Sequence, residues 1–294
     1  MSNSASAASA QNSSDSTAID NTKPASAASV AAPIAAAKYT EEPVVFIHRW
    51  NEGLMSLRIN RDAAYGFVPG QFARIGLKKE DGEIIWRAYS IVSAPHEAFL
   101  EFFLVVVPTG EFSSRMARLN IGDTMLVEKH AQGFLTADRF KDGRDLWLLA
   151  TGTGLAPYIS MVRDHALWQQ FENIVIVLSV RESTDLGYTE ELAFLANQSP
   201  RAGGAKLKFV TTLTRETVND AVKDSPVLSG RINALIVSGK LEQATGLPLV
   251  DEHSRFMLCG NPEMVEGVRA LLKSRGFRMN RRLEPGHILV ENYW

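Results

Sequence analysis

From Tyr39 to about Phe140 the apolar positions come in short runs separated by turn residues. The runs Val44–Trp50, Leu54–Ile59, Gln71–Leu77, Ile84–Ser90, Leu100–Val107 and Thr124–Glu128 predict six strands. Between them lie Asn51-Glu52-Gly53, Val68-Pro69-Gly70, Asp81-Gly82, Pro108-Thr109-Gly110 and Gly122-Asp123, all turn chemistry. Many short strands so punctuated predict a closed antiparallel β-barrel. One short helix, Ser113–Leu119, interrupts them, with Ser113 or Ser114 placed to cap it.

After Lys141-Asp142-Gly143-Arg144 the pattern changes to continuous apolar runs: Leu146–Ala150, Ile174–Val180, Leu207–Leu213 and Phe256–Cys259. Helical stretches fall near Leu155–Gln169, Glu190–Asn197, Arg231–Gly239 and Pro262–Arg275, and His287–Trp294 reads as a closing strand. Buried runs alternating with helices predict a parallel sheet covered on both faces. The expected organisation is therefore a barrel domain over 39–140 and an α/β domain over 141–294, with the boundary near residue 140.

The first 37 residues carry thirteen alanines and nine serines, and no aromatic appears before Tyr39. Such a segment has too little apolar bulk to repay its ordering, so 1–38 reads as a disordered extension. It lacks the basic start and leucine-rich core of a secretory signal. Net charge is −2, which excludes a global field for nucleic acid. The one cysteine, Cys259, excludes a disulfide framework and a thiolate-held iron–sulfur cluster within this chain. The six histidines show no ligand spacing, so no metal site is expected. No apolar run approaches the roughly 20 residues of a membrane span.

Three places suggest chemistry. Ala150-Thr151-Gly152-Thr153-Gly154-Leu155-Ala156-Pro157 joins a parallel strand to a helix. Its two glycines let the backbone approach a ligand, and the helix start suits a pyrophosphate. The fingerprint Gly-x-Gly-x-x-Gly is not completed, because Pro157 stands where the third glycine would. Arg181 and Arg215 follow two parallel strands, where open α/β sheets bind ligands. With Thr214 and Arg231 they suit a 2′-phosphate better than a bare ribose diol, which would call for a carboxylate. In the first half, Arg87-Ala88-Tyr89-Ser90 ends a strand with a guanidinium, a ring and a hydroxyl, able to clamp a phosphate, stack and hydrogen-bond. Taken singly, each reads equally as a turn, a solvated arginine or an ordinary strand end.

Their order is more specific. Arg87-Ala88-Tyr89-Ser90 is followed by Gly110-Glu111-Phe112-Ser113-Ser114, then Gly152-Thr153-Gly154-Leu155-Ala156-Pro157, then Cys259-Gly260-Asn261-Pro262-Glu263-Met264, then a terminal Tyr293-Trp294. From about Tyr39 to Trp294 the chain resembles the bacterial branch of the ferredoxin–NADP+ reductases, also called flavodoxin reductases.

The resemblance implies a FAD-binding Greek-key barrel followed by an NADP-binding α/β domain. FAD would be held by Arg87, Ala88, Tyr89, Ser90, Val105, Val107, Ser113 and Ser114. Arg87 and the two serines would serve the pyrophosphate, Tyr89 one flavin face, and the backbone of Val105 to Val107 the ribityl side. Tyr293 would stack on the second flavin face and Trp294 on the adenine, or the two exchange places. NADP(H) would meet Thr153, Gly154, Arg181, Thr214, Arg215, Arg231, Cys259 and Pro262. Ser90, Cys259, Glu291 and Tyr293 would surround the reacting atoms, with Tyr293 as a gate for the nicotinamide. Hydride would pass from NADPH to flavin N5, then single electrons to a ferredoxin or flavodoxin. Clusters at Arg74, Lys78, Lys79 and Arg87, and at Arg275, Arg278, Arg281 and Arg282, are candidate docking surfaces for that acidic carrier. A cytoplasmic monomer is implied. The alternatives are an NADH-dependent reductase of an oxygenase, a free-flavin reductase, and a non-catalytic binding module on the same fold.

Overall fold

A computed structural model describes residues 38–200, 204–216 and 226–292. The Ala/Ser-rich stretch before Lys38, and Tyr293 and Trp294, lie outside the described residues.

The first half forms β1 (Tyr39–Asn51), β2 (Leu54–Asn60), β3 (Phe72–Lys78), β4 (Ile84–Ser90), β5 (Phe99–Val105), helix α1 (Glu111–Met116) and β6 (Thr124–Glu128). The strands lie in the order β4-β3-β6-β1-β2-β5, and every neighbouring pair is antiparallel. β1 serves both halves of this sheet. Its residues Tyr39–Pro43 pair with β6, and Val44–Asn51 pair with β2. Register shifts at Val44/Phe46 and Arg49/Asn51 let it bend around the corner. The two outer strands then meet: Ile91 bridges Phe102, and the Val92 N–H donates to the Glu101 carbonyl at 2.8 Å. This closes the predicted barrel around Met55, Leu57, Ile59, Ile75, Ile91 and Phe102, all fully buried. The helix begins two residues earlier than expected. Its cap is Gly110, so Ser113 and Ser114 sit inside α1 and do not cap it.

The second half forms β7 (Asp145–Thr151), α2 (Ala156–Arg163), α3 (His165–Gln170), β8 (Asn173–Val180), α4 (Thr189–Asn197), β9 (Lys206–Leu213), β10 (Val227–Ser229), α5 (Ile232–Val237), α6 (Lys240–Thr245), β11 (Ser254–Gly260), α7 (Pro262–Ser274) and β12 (Ile288–Asn292). The sheet is parallel throughout, in the order β10-β9-β8-β7-β11-β12. Alternation splits its side chains between two cores. Leu146, Leu148, Ala150, Ile174 and Ile176 face α2–α4 and the barrel, whereas Trp147, Leu149, Val175, Val177 and Phe256 face α5–α7. Burying each such side chain contributes about 1.5–3 kcal/mol, which is why these strands read as unbroken apolar runs.

One expected helix is two. The stretch after the glycine turn breaks at Asp164, whose backbone is extended, giving α2 and α3. The chain order also fixes where ligands can enter. From β7 the connections run outward through β8, β9 and β10, then return to place β11 on the other side of β7. The switch point lies between β7 and β11, and the crevice outside their carboxyl ends is the expected ligand site of such a sheet.

Candidate functional site

Two turns meet at that switch point. Thr151 ends β7, and its Oγ1 accepts the Asn261 N–H at 2.7 Å. Gly154 packs directly on the end of β11. A Cβ built there would lie 2.4 Å from the Cys259 carbonyl oxygen. Gly260 has φ +124°, and a Cβ there would meet Thr151 Oγ1 at 2.2 Å. These contacts give Gly154 a packing reason, whereas nothing lies within 4 Å of a Cβ at Gly152. Pro157 falls in the first turn of α2 and Pro262 in the first turn of α7, where a missing N–H costs nothing. The Asn261 side chain caps α7, accepting from the N–H groups of Glu263 at 2.8 Å and Met264 at 3.3 Å.

Thr153 and Cys259 are buried beneath these turns. Glu291 lies opposite Cys259 in the parallel register of β11 and β12. Its Oε2 is shut off from solvent and has no hydrogen-bond partner among the described residues. That burial pushes its carboxyl up to about 7.

Farther along the carboxyl edge stand three exposed arginines, at the ends of adjacent strands. Arg181 follows β8, Arg215 follows β9, and Arg231 follows β10 as the residue before α5. The Arg215 N–H donates to the Arg181 carbonyl at 2.9 Å, and the Gly230 N–H to the Leu213 carbonyl at 2.9 Å, so the three backbones are tied together. None of the three guanidiniums forms an ion pair among the described residues. Beside them, the Thr214 Oγ1 donates to the Val180 carbonyl at 3.3 Å.

On the barrel, the end of β4, the end of β5 and α1 form one edge. Arg87 and Ala88 are exposed, and among the described residues Arg87 donates only to the neighbouring Trp86 carbonyl, at 2.8 Å. Tyr89 is half-buried, its ring stacked on Phe112 of α1 with centroids 5.8 Å apart. Burial raises its phenol pKa, against a lowering by Arg87. Ser90 is buried. Val105 and Val107 show 40% and 43% of their surface, high for valines at a strand end. Ser113 engages Val107. Its hydroxyl accepts the Val107 N–H and donates to the Val107 carbonyl, both at 3.1 Å. These bonds use the one donor of the Ser113 hydroxyl and the Val107 N–H. Ser114 donates to the Glu111 carbonyl at 3.3 Å.

The barrel edge and the switch point are neighbours. Ser160 of α2 donates to the Ser93 carbonyl at 2.7 Å, three residues beyond Ser90. Leu54, Val92 and Phe103 of the barrel share a core with Leu155 and Ala156.

Comparison with known proteins decides the family. Residues 48–132 match the model of the oxidoreductase FAD-binding domain, and 148–270 that of the oxidoreductase NAD-binding domain. The chain is 41% identical over 257 residues to ferredoxin–NADP reductase A of Sorangium cellulosum, covering 86% of this chain and 89% of that one. It is 39% identical to the flavodoxin/ferredoxin–NADP reductase of Escherichia coli, covering 85% and 97%. The chain belongs to the ferredoxin/flavodoxin–NADP reductase family. A ferredoxin–NADP+ reductase from Neisseria gonorrhoeae, solved with bound FAD and NADP, superposes with a TM-score of 0.80 at 37% identity, covering 87% of this chain and 99% of that one. As a family member the chain is an oxidoreductase with a FAD-binding barrel and a nicotinamide-nucleotide-binding sheet. Its residues are of a kind that fits both groups: arginines with no acidic partner among the described residues, exposed valines beside a half-buried tyrosine, and a buried carboxylate oxygen with no hydrogen-bond partner among those residues.

One docking cluster is largely neutralised. Arg74 pairs with Glu128 at 2.7 Å, Lys78 with Glu41 at 2.6 Å, and Lys79 with Glu83 and Glu111, leaving Arg87. In the other, Arg275 pairs with Glu242 at 3.8 Å and Arg281 with Glu284 at 3.6 Å. No signal in the sequence pointed to the Thr151–Asn261 or Ser160–Ser93 contacts, because each joins residues far apart along the chain.

Proposed function

We propose that this chain carries electrons between NADPH and a ferredoxin or flavodoxin, through FAD bound along the barrel edge. The observation that carries this reading is the seating of that edge against the switch point, through Ser160 and Ser93. A flavin on one and a nicotinamide on the other would face each other across that junction. We place the domain boundary near residue 140, between the two family matches, with 39–140 binding FAD and 141–294 binding NADP(H).

When bound, FAD takes two electrons together from the nicotinamide and gives them singly to a one-electron carrier. The chain's own residues bind, orient and shield. Arg87 serves the FAD pyrophosphate. Ala88, Tyr89, Ser90 and the side chains of Val105 and Val107 line the flavin. Ser113 and Ser114 assist the pyrophosphate from α1, and the Ser113 hydroxyl also fixes Val107. Thr153, Gly154, Cys259 and Pro262 frame the nicotinamide, while Arg181, Arg215 and Arg231 take the 2′-phosphate. Glu291 holds a proton on its carboxyl near neutral pH, beside the reacting ring. Tyr293 and Trp294 follow directly on Asn292, which pairs with Gly260 at the switch point, and this supports the stacking and gating roles. No helix among the described residues is long and apolar enough to cross a membrane. We assign the protein to the cytoplasm, as a monomer.

Anaerobic titration with NADPH, beside NADH, tests the proposal by visible absorption. A yellow protein bleached far more readily by NADPH is expected. Equal bleaching by NADH would remove the 2′-phosphate roles, and a protein that takes up no FAD would remove the redox reading.

A further inference from the structure

The arginines that would select the 2′-phosphate stand on loops, and one of those loops is held from both sides. It runs from Arg181 to Gly187, between β8 and α4. On the sheet side, the Ser183 N–H and Oγ both donate to Glu216 Oε1, at 3.1 and 3.2 Å. On the other side the holder is the barrel. Asn51 Nδ2 donates to the Thr184 carbonyl at 2.7 Å, while its Oδ1 accepts the Gly53 N–H at 2.7 Å. The β1–β2 turn thus orients the amide that grips the loop. Gly187 lies against the barrel, where a Cβ would come 2.7 Å from Phe103 Cζ.

The loop ends at Tyr188, the one non-glycine residue with positive φ among the described residues, at +61°. A bulky side chain avoids that conformation unless its surroundings enforce it. Here a hydrogen-bonded chain does so. Trp50 Nε1 donates to Ser56 Oγ at 2.9 Å, Ser56 Oγ lies 2.6 Å from the Tyr188 hydroxyl, and that hydroxyl donates to Glu101 Oε1 at 3.0 Å. Indole can only donate and a carboxylate only accept, so every proton in the chain points one way, toward Glu101. Arg163 fixes the acceptor end at 2.7 Å. Trp50, Ser56 and Glu101 are barrel residues, and Tyr188 belongs to the nucleotide-binding half.

We propose that the barrel sets the preference for the 2′-phosphate from outside the nucleotide site: Asn51 and Tyr188 are positioning residues that hold the Arg181–Gly187 loop so that Arg181 and Arg215 converge on one phosphate. This rests on the NADP reading above. Neither residue needs to touch the nucleotide. Their effect is confined to the loop they hold and spares the nicotinamide-framing turns at Gly154 and Gly260.

The test uses the FAD-loaded full chain carrying Tyr188→Phe, which keeps the ring, or Asn51→Ala, at the half-buried end of β1. Binding of 2′-phospho-AMP is measured by calorimetry, and KM and kcat with NADPH and NADH by steady-state kinetics. Tyr188→Phe loses the bonds to Ser56 and Glu101, and Asn51→Ala the bonds to Thr184 and Gly53. The expected result is a Kd for 2′-phospho-AMP raised about 5-fold, a matching rise in KM for NADPH, and unchanged kcat and NADH kinetics. Arg181→Ala and Arg215→Ala run alongside. If they weaken 2′-phospho-AMP binding and the clamp variants do not, the clamp is overturned and the phosphate pocket stands. If the clamp variants weaken NADPH and NADH use equally, the residues are merely structural and the proposal falls. If the arginine variants bind 2′-phospho-AMP as the parent does, the pocket reading falls and the clamp with it. Should Tyr188→Phe not fold, Asn51→Ala decides alone.

Discussion

Glu291 shows how a side chain named by its sequence context acquires its chemistry only from the fold. Its carboxyl is raised from the ordinary value near 4.5 to about 7 by burial alone. The sign of the consequence follows. The folded state binds this proton more tightly than the unfolded state, so the contribution to stability is complete below about 4.5 and is lost as pH rises through 7. In the FAD-free protein, Glu291→Gln keeps a neutral side chain at every pH. Relative to that variant, the parent should lose about 2 kcal/mol between pH 5.5 and 8.5. Denaturant titrations at the two pH values check this, and a parent–variant difference that stays constant would refute the shifted carboxyl. The sequence offered Glu291 only through its place before a terminal aromatic pair. Its neutrality depends on desolvation by strands distant in sequence, which no local pattern records. Ser113 makes the same point in reverse. Its position in the motif was legible, but its commitment to Val107 was not.

At the scale of elements, periodicity carried far. Alternating or continuous apolar runs marked eleven of the twelve strands, because a buried strand must be apolar on its covered faces. The exceptions have physical reasons. β10 has three residues after Pro226 and pairs with β9 alone, too short a run to show a period. α6 spans six residues between Gly239 and Gly246, a bracket whose meaning emerges only once both glycines are seen to cap it. The break between α2 and α3 was signalled by Asp164, a residue that favours helix starts, inside a run that otherwise looked continuous. The switch point itself was half legible. The glycines were visible, but which backbone they accommodated was not. Since a Cβ on Gly260 would fall on Thr151 Oγ1 and the residue has φ +124°, Gly260→Ala meets both a clash and a strained backbone. Overpacking of this kind costs about 1–3 kcal/mol. Thr151→Val should cost about 1 kcal/mol, by removing the acceptor for the Asn261 N–H. Thermal denaturation of both variants should rank Gly260→Ala as the less stable. The reverse order would mean that the hydrogen bond, not the close approach, holds the two turns together.

For the whole molecule, the boundary between barrel and sheet was readable as a change of period, whereas the joint across it was not. That joint centres on Arg163 of α2. It forms two hydrogen bonds with Glu191, at 2.7 and 2.8 Å, and one with Glu101 of the barrel at 2.7 Å. Burial works against its charge, but the bonds to Glu191 and Glu101 outweigh it and raise its pKa. Glu101 is 2% exposed, so its charge is tolerable only while it is paired. Surface pairs such as Lys78–Glu41 contribute little, being solvated and screened. Breaking a buried pair from one side costs about 3–5 kcal/mol, because the remaining charge is stranded. Arg163→Met keeps much of the apolar stem and removes the charge. Arg58 Nε, 3.4 Å from Glu101, remains as a partial partner, which sets the expected loss near the lower limit, about 3 kcal/mol. Adding Glu101→Gln removes the stranded charge, so the double variant should be more stable than Arg163→Met alone. A double-mutant cycle by denaturant unfolding measures the coupling. Additive losses would show that Arg163 stabilises α4 through Glu191 alone, and the barrel and sheet would then be joined chiefly by the apolar contacts of Leu54, Val92 and Phe103 with Leu155 and Ala156.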